Sequence, residues 1–394
     1  MRERIILLLI LGFDAIILLY EISNLSITAN EAYLLYKSHS FVHYLTQLSL
    51  TLFGQNDYAL RIPMIVFHLL SVVLLYHVSK PYVRRDSDRL WLVFLFILLP
   101  GVMSSALLVN SAGIMIFTLF LLLALYQRNS VLVQPLLVLF VVIDGAYSLL
   151  YLALFVYAFN RGNRYYMLFM AMLFTLTFYL YGFNTYGKPS GHFLDTLGLY
   201  ATIFSPVVFI FLIYTLYRKM VSKEEDITLY VSGVVFVVSL LLSFRQRINI
   251  EDFAPYLMLL LPLAAQTFFS SYRVRLREFR GRYRVMLGIG FGLLTIHFFL
   301  LVFNKGLYLI IEDPHDNFAY KTHIVKEVAK ALEEQGISCV DAESNNLQNR
   351  LRFYGITACD ERLLYEVPTD IDSDVTVRYM GRNVAAYNVT NPPI

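Results

Sequence analysis

The sequence predicts an α-helical polytopic membrane protein of about eleven transmembrane helices, with a small soluble α/β domain at its C-terminal end. Three observations carry that reading. Hydrophobic residues make up 58% of the 394 and charged residues only 15%, a balance that would leave a single soluble core with large apolar patches. The apolar residues gather in runs long enough to cross roughly 30 Å of hydrocarbon. After Phe303 the composition turns abruptly to a mixed, charged pattern. Two domains are therefore expected, 1–304 in the membrane and 305–394 outside it.

Arg2 and Arg4 precede the first run, 5–22, and no small-residue cleavage site follows, so this run is expected to stay as a first span. Further runs cover 60–79, 90–108, 112–127, 164–183, 197–217, 227–243, 253–270 and 285–303. The apolar stretch 131–160 is too long for one helix and carries Asp144-Gly145 at its middle. Two short helices meeting at Asp144 fit it better.

Orientation follows from lysine and arginine in the short loops. With the N-terminus in the cytoplasm, eighteen such residues fall on the cytoplasmic side, six of them in Arg273–Arg284, RVRLREFRGRYR. Only Lys37, Arg61, Lys188, Arg245 and Arg247 fall on the other side before the soluble domain. That asymmetry places the C-terminal domain outside the cytoplasm. The arginine run reads as a topology determinant that also touches anionic lipid head groups, and no nucleic-acid partner is expected.

In the soluble domain, Leu307–Ile311 and Ile337–Val340 read as strands, and Tyr320–Gln335 reads as an amphipathic helix closed by Gly336. Asn345–Tyr354 reads as a helix, and Val375–Tyr379 with Val384–Val389 as a hairpin around Gly381-Arg382. Both cysteines, Cys339 and Cys359, lie here. A disulfide in an oxidising compartment and two buried thiols remain open alternatives.

The most informative stretch lies between the first two spans. Asn30-Glu31-Ala32-Tyr33 is followed by His39, by Phe53-Gly54, and by Ala59-Leu60-Arg61-Ile62-Pro63 entering the second span. In order and spacing, about fifty residues resemble the first extracytoplasmic loop of the GT-C glycosyltransferases, which include the protein O-mannosyltransferases and the lipid A aminoarabinose transferase. The resemblance implies a GT-C-like fold with amphipathic juxtamembrane helices in the first loop, in a bacterial inner membrane with the C-terminal domain periplasmic. It also implies inverting transfer of a sugar from a polyprenyl-phosphate donor to a lipid, glycan or protein acceptor. One position departs: the family's first acid, usually Asp, is Asn30 here. A second position often acidic in the family aligns with Asn110.

Such a transfer needs a base within reach of the acceptor hydroxyl and cations for the phosphate. By resemblance Glu31 is the expected base and Asn30 an orienting partner. On the residues alone, Glu31 reads first as a first-turn acid of a helix capped by Asn30, and the resemblance turns the reading toward a base. Asp144, at the break in 131–160, is either a third catalytic candidate or a capping residue exposed to water. Glu251 and Asp252 are candidates for binding a divalent metal or an acceptor, or for ion pairs with Arg245 and Arg247. Arg61, Arg245 and Arg247 are the expected phosphate ligands, with Lys188 in a Gly- and Pro-rich loop. His39 and His43, spaced for one helical face, and Tyr33 are candidates for substrate contact; no metal site or other cofactor is assigned. His68 reads as a packing residue. The two amides keep a second reading open, a non-catalytic relative that binds a glycolipid or partners another membrane enzyme. A transporter would show internal repeats, and none is visible.

Overall fold

The structure is a computed structural model that describes residues 2–182, 191–369 and 373–390. It is mostly helical and divides into two compact units. The first comprises Met1–Asp14, Met64–Ala106 and Asn110–Phe298; the second comprises Ala15–Pro63, Leu107–Val109 and Phe299–Ile394. The first connecting segment thus belongs to the same unit as the C-terminal residues.

Each apolar run is occupied by a helix or a bent pair. Arg2–Asn24, Asp57–Val78 and Arg277–Val302 are long and apolar enough to cross a membrane. Counting each bent pair as one span raises the number to six among the described residues. The bends explain runs that the sequence reads as single spans. Phe193–Phe204 and Pro206–Val221 meet at 107°, because Ser205, with φ +65°, precedes a proline that bars it from the helix. Asp86–Leu98 and Pro100–Leu107 bend by 63° ahead of Pro100, and Ile250–Met258 and Leu261–Val274 by 42° ahead of Pro262. The stretch 131–160 divides as expected into Val133–Ile143 and Tyr147–Asn160, with Asp144 extended between them. Gly145 packs tightly there: a Cβ would meet the Tyr181 side chain at 3.0 Å and push it aside.

The core of the first unit is aromatic and aliphatic, with Phe96, Phe120, Phe140, Tyr147, Tyr151, Tyr200 and Tyr256 fully buried. Buried phenols bond locally, as a water-free interior demands. Tyr151 donates to the Leu137 carbonyl at 2.7 Å and Tyr256 to the Ala146 carbonyl at 2.9 Å.

In the second unit, strands β1 (Asp341–Ala342), β2 (Leu363–Val367), β3 (Val375–Tyr379) and β4 (Arg382–Thr390) form one sheet in the order β1-β2-β4-β3. β1 and β2 run parallel and the other pairs antiparallel. The predicted hairpin is present, its turn made by Met380 and Gly381, both at positive φ. The helices Tyr320–Glu334 and Asn345–Phe353 are where the pattern puts them, and Cys339 and Cys359 are joined in a disulfide. Two strand expectations fail. Leu307–Ile311 lies in a 3-10 turn and its C-terminal edge, because Arg382 takes the carbonyls of Tyr308 (3.2 Å), Ile311 (2.6 Å) and Glu312 that a ladder would have used. Ile337–Val340 makes only an isolated bridge from Cys339 to Thr357 ahead of β1.

Candidate functional site

The motif segment folds as the helix Ala29–Tyr36, and its cap explains where its side chains go. Thr28, not Asn30, is the cap: its hydroxyl accepts from the Glu31 N–H at 3.1 Å, and the Glu31 carboxylate accepts from the Thr28 N–H at 2.8 Å. This reciprocal capping box turns Glu31 back toward the start of the helix. There it meets Arg61, whose Nε and Nη2 donate to its two oxygens at 2.9 and 2.8 Å. The Val109 N–H adds a fourth donor at 3.0 Å. Arg61 also gives Nη1 to the Leu25 carbonyl and Nη2 to that of Ser26, at 3.0 and 2.9 Å. Both side chains are sealed, at 1% and 0% exposure.

A carboxylate has about four lone-pair sites, and four donors occupy them. Burial alone would lift the Glu31 carboxyl. The Arg61 charge, with the hydrogen bonds from Arg61, Thr28 and Val109, outweighs burial and holds it below the usual range. A saturated anion of low proton affinity is a poor general base. Arg61 likewise has no face left for a phosphate. The pair forms a bidentate brace between Ala29–Tyr36 and the start of Asp57–Val78.

The opposite face of the motif helix carries Asn30, Tyr33 and Lys37, all exposed. His39 lies in the turn before the helix Phe41–Phe53, so it does not share a helical face with His43. His43 is partly buried, bonds through Nδ1 to the Leu34 carbonyl at 3.0 Å and meets the His39 ring edge-on at 6.1 Å. The segment is also clamped to the soluble residues of its own unit. Tyr354 donates to Asp57 at 2.7 Å and accepts from the Ile27 N–H at 2.9 Å, while Lys326 pairs with Asp57 at 2.7 Å. Buried Arg350 donates to the Ile27 carbonyl at 2.7 Å, and Ser26 donates to that of Thr322 through N–H and hydroxyl, at 2.8 and 2.7 Å. Sequence reading missed these contacts, whose partners stand about 300 positions apart.

In the first unit, Asn110 caps Ser111–Gln127, accepting from the Gly113 N–H at 3.0 Å. Asp144 is half-buried; its carboxylate accepts from the Ala146 N–H at 2.9 Å and is bonded to Ser111. Burial pushes its carboxyl up, and these two bonds offset only part of the rise. Asp252 stands near enough to feel its charge and accepts from Asn249 at 3.2 Å. Arg245 and Arg247 are exposed, and among the described residues neither pairs with Glu251, Asp252 or any other acid. No group of three or more metal-ligating side chains occurs among the described residues. Lys188 lies outside them. The sequence also undervalued His68, whose Nε2 lies 2.7 Å from the Asp14 carboxylate, both side chains buried, with the ring stacked on Phe96.

No family model and no curated protein matches this chain. Solved structures do. The crystal structure of ArnT from Cupriavidus metallidurans in the apo state superposes with a TM-score of 0.56, at 13% identity, over 89% of this chain and 85% of that one. The same protein bound to undecaprenyl phosphate gives 0.56 at 12% identity, with the same coverage. The chain has the ArnT fold. The fold expected from the first-loop motif is thus found over 89% of the chain, although so few residues are shared with ArnT.

Proposed function

We propose that this protein is a membrane glycosyltransferase that takes a sugar from a polyprenyl-phosphate carrier and passes it to a lipid, glycan or protein acceptor. The observation that carries this reading is the ArnT fold, since one of the ArnT structures holds undecaprenyl phosphate. The positive-inside pattern supports an inner membrane with the N-terminus cytoplasmic and the 305–394 domain periplasmic.

In the reaction, the acceptor oxygen attacks the anomeric carbon as the bond from that carbon to the carrier phosphate oxygen breaks. The acceptor proton goes to a base, and the phosphate leaves with the bonding pair. Asp144 suits the base better than Glu31, because burial raises its proton affinity and no cation among the described residues saturates it. Arg245 and Arg247, without acid partners among the described residues, suit the departing phosphate. Within its own unit, the Glu31–Arg61 brace fixes the motif helix with Asn30 and Tyr33 exposed. A second reading, a carrier-binding protein without turnover, draws on the exposed amide of Asn30 at the family's acid position.

The test is made on purified full-length protein. Mass spectrometry follows retention of added undecaprenyl phosphate, then its release from sugar-linked carrier in an envelope lipid extract. Retention with release supports the transferase, retention alone supports the binding protein, and neither outcome sinks both readings.

A further inference from the structure

We infer that the first unit holds a second lipid site, separate from the carrier chemistry, built for one chain of an anionic phospholipid. A cavity of about 630 Å³ opens among the helices Asp86–Ile97, Pro206–Val221, Leu261–Val274 and Gly281–Val302. Its walls are apolar: Leu92, Phe211, Leu212, Ala265, Phe268 and Gly290 line it. Its charged lining residues all come from helix ends, Arg85 and Asp88 at the start of one helix, Arg273 at the close of another, and Arg280 and Arg284 where the last begins. The lining therefore runs from an arginine-rich mouth into hydrocarbon.

The depth is that of a lipid chain. From Arg273 to Leu261, at about 1.5 Å per residue, the wall descends ~18 Å, close to half of a bilayer's hydrocarbon. The charge pattern selects the head group. Arg273 is taken by Asp88, and Arg280 bonds the carbonyls of Arg273 and Arg275. Arg284 is exposed and, among the described residues, bonded only through Nε, to the Tyr272 hydroxyl at 3.2 Å. Arg85 is exposed with no side-chain partner among the described residues. Two guanidinium groups thus remain for a phosphate at the mouth of an apolar slot, a fit for a phosphodiester with net negative charge. These arginines belong to the set that the topology reading puts in the cytoplasm. The occupant is accordingly a phospholipid of that leaflet, away from any carrier handled on the opposite face.

Native mass spectrometry of the full chain tests this, with phosphatidylglycerol and phosphatidylcholine titrated against each other. We expect phosphatidylglycerol to be held about tenfold more tightly, with the preference abolished in Arg85→Ala/Arg284→Ala. A second variant, Gly290→Leu, fills the slot without touching charge; a Cβ there meets Val207 only at 3.5 Å. It should lose one tightly bound lipid while keeping the wild-type melting temperature. Equal retention of the two lipids, a preference unchanged in both variants, or displacement of phosphatidylglycerol by equimolar undecaprenyl phosphate would each overturn the inference. The readout is lipid occupancy, so failure of the transferase reading leaves it standing.

Discussion

Glu31 and Asp144 start from the same description: an acid beside a short helix in a membrane protein, with a capping role as the plain alternative. Their surroundings divide them. Glu31, in the second unit, is sealed and surrounded by four donors, one set from an arginine. Asp144, in the first, is half-buried, with one backbone donor, one serine and, among the described residues, no cation. A buried carboxylate supplied with every donor it can use stabilises its own fold and gives up its basicity. One left partly supplied keeps a raised proton affinity, which is the property that chemistry needs.

The largest expected effect strikes the saturated acid. Glu31→Gln leaves Arg61 buried without its counter-charge, and stability should fall by about 3–5 kcal/mol, read as a melting shift in detergent. Glu31→Gln with Arg61→Met should recover much of it. A single variant that melts like wild type would break the comparison. Asp144→Asn should do the opposite, leaving melting within about 1 kcal/mol and cutting transfer by roughly 10²–10⁴.

The contrast recurs inside the second unit at His323, which is buried with Nε2 unpartnered among the described residues and Nδ1 3.1 Å from the Tyr308 hydroxyl. Burial, helped by the Lys305 charge, pushes its pKa down to about 4 from 6.5. The unfolded chain therefore binds the proton first on acidification. Stability from this residue is whole above pH 6.5 and is lost as pH falls toward 4, by about 3 kcal/mol. Chemical denaturation of wild type and His323→Gln across that window checks it: the variant's curve should be flatter. The smallest effect belongs to the exposed cations. Arg245→Ala or Arg247→Ala should weaken carrier binding about tenfold, as expected for one lost charge-assisted hydrogen bond, without moving the melt.

Much of this was legible in the residues. Hydropathy runs located the apolar helices of the membrane part, and the break at Asp144-Gly145 showed because a carboxylate and a glycine interrupt apolar sequence. The motif from Asn30 to Pro63 led to the right architecture. The bend at Ser205 was missed because its signal is one proline inside an otherwise unbroken run. Leu307–Ile311 looked like a strand because local pattern does not reveal that Arg382, more than seventy positions later, claims its carbonyls. The surroundings of Glu31 were hidden for the same reason. The Thr28–Glu31 spacing was there to be read as a capping box, but Arg61 and Val109 close around the carboxylate only in three dimensions.

The most direct test counts free undecaprenyl phosphate released from a sugar-linked carrier, per folded molecule, for Glu31→Gln and Asp144→Asn side by side. The account predicts near wild-type release from whatever Glu31→Gln protein stays folded and almost none from Asp144→Asn. Release that survives in Asp144→Asn and vanishes in well-folded Glu31→Gln would contradict it and return the chemistry to the first loop.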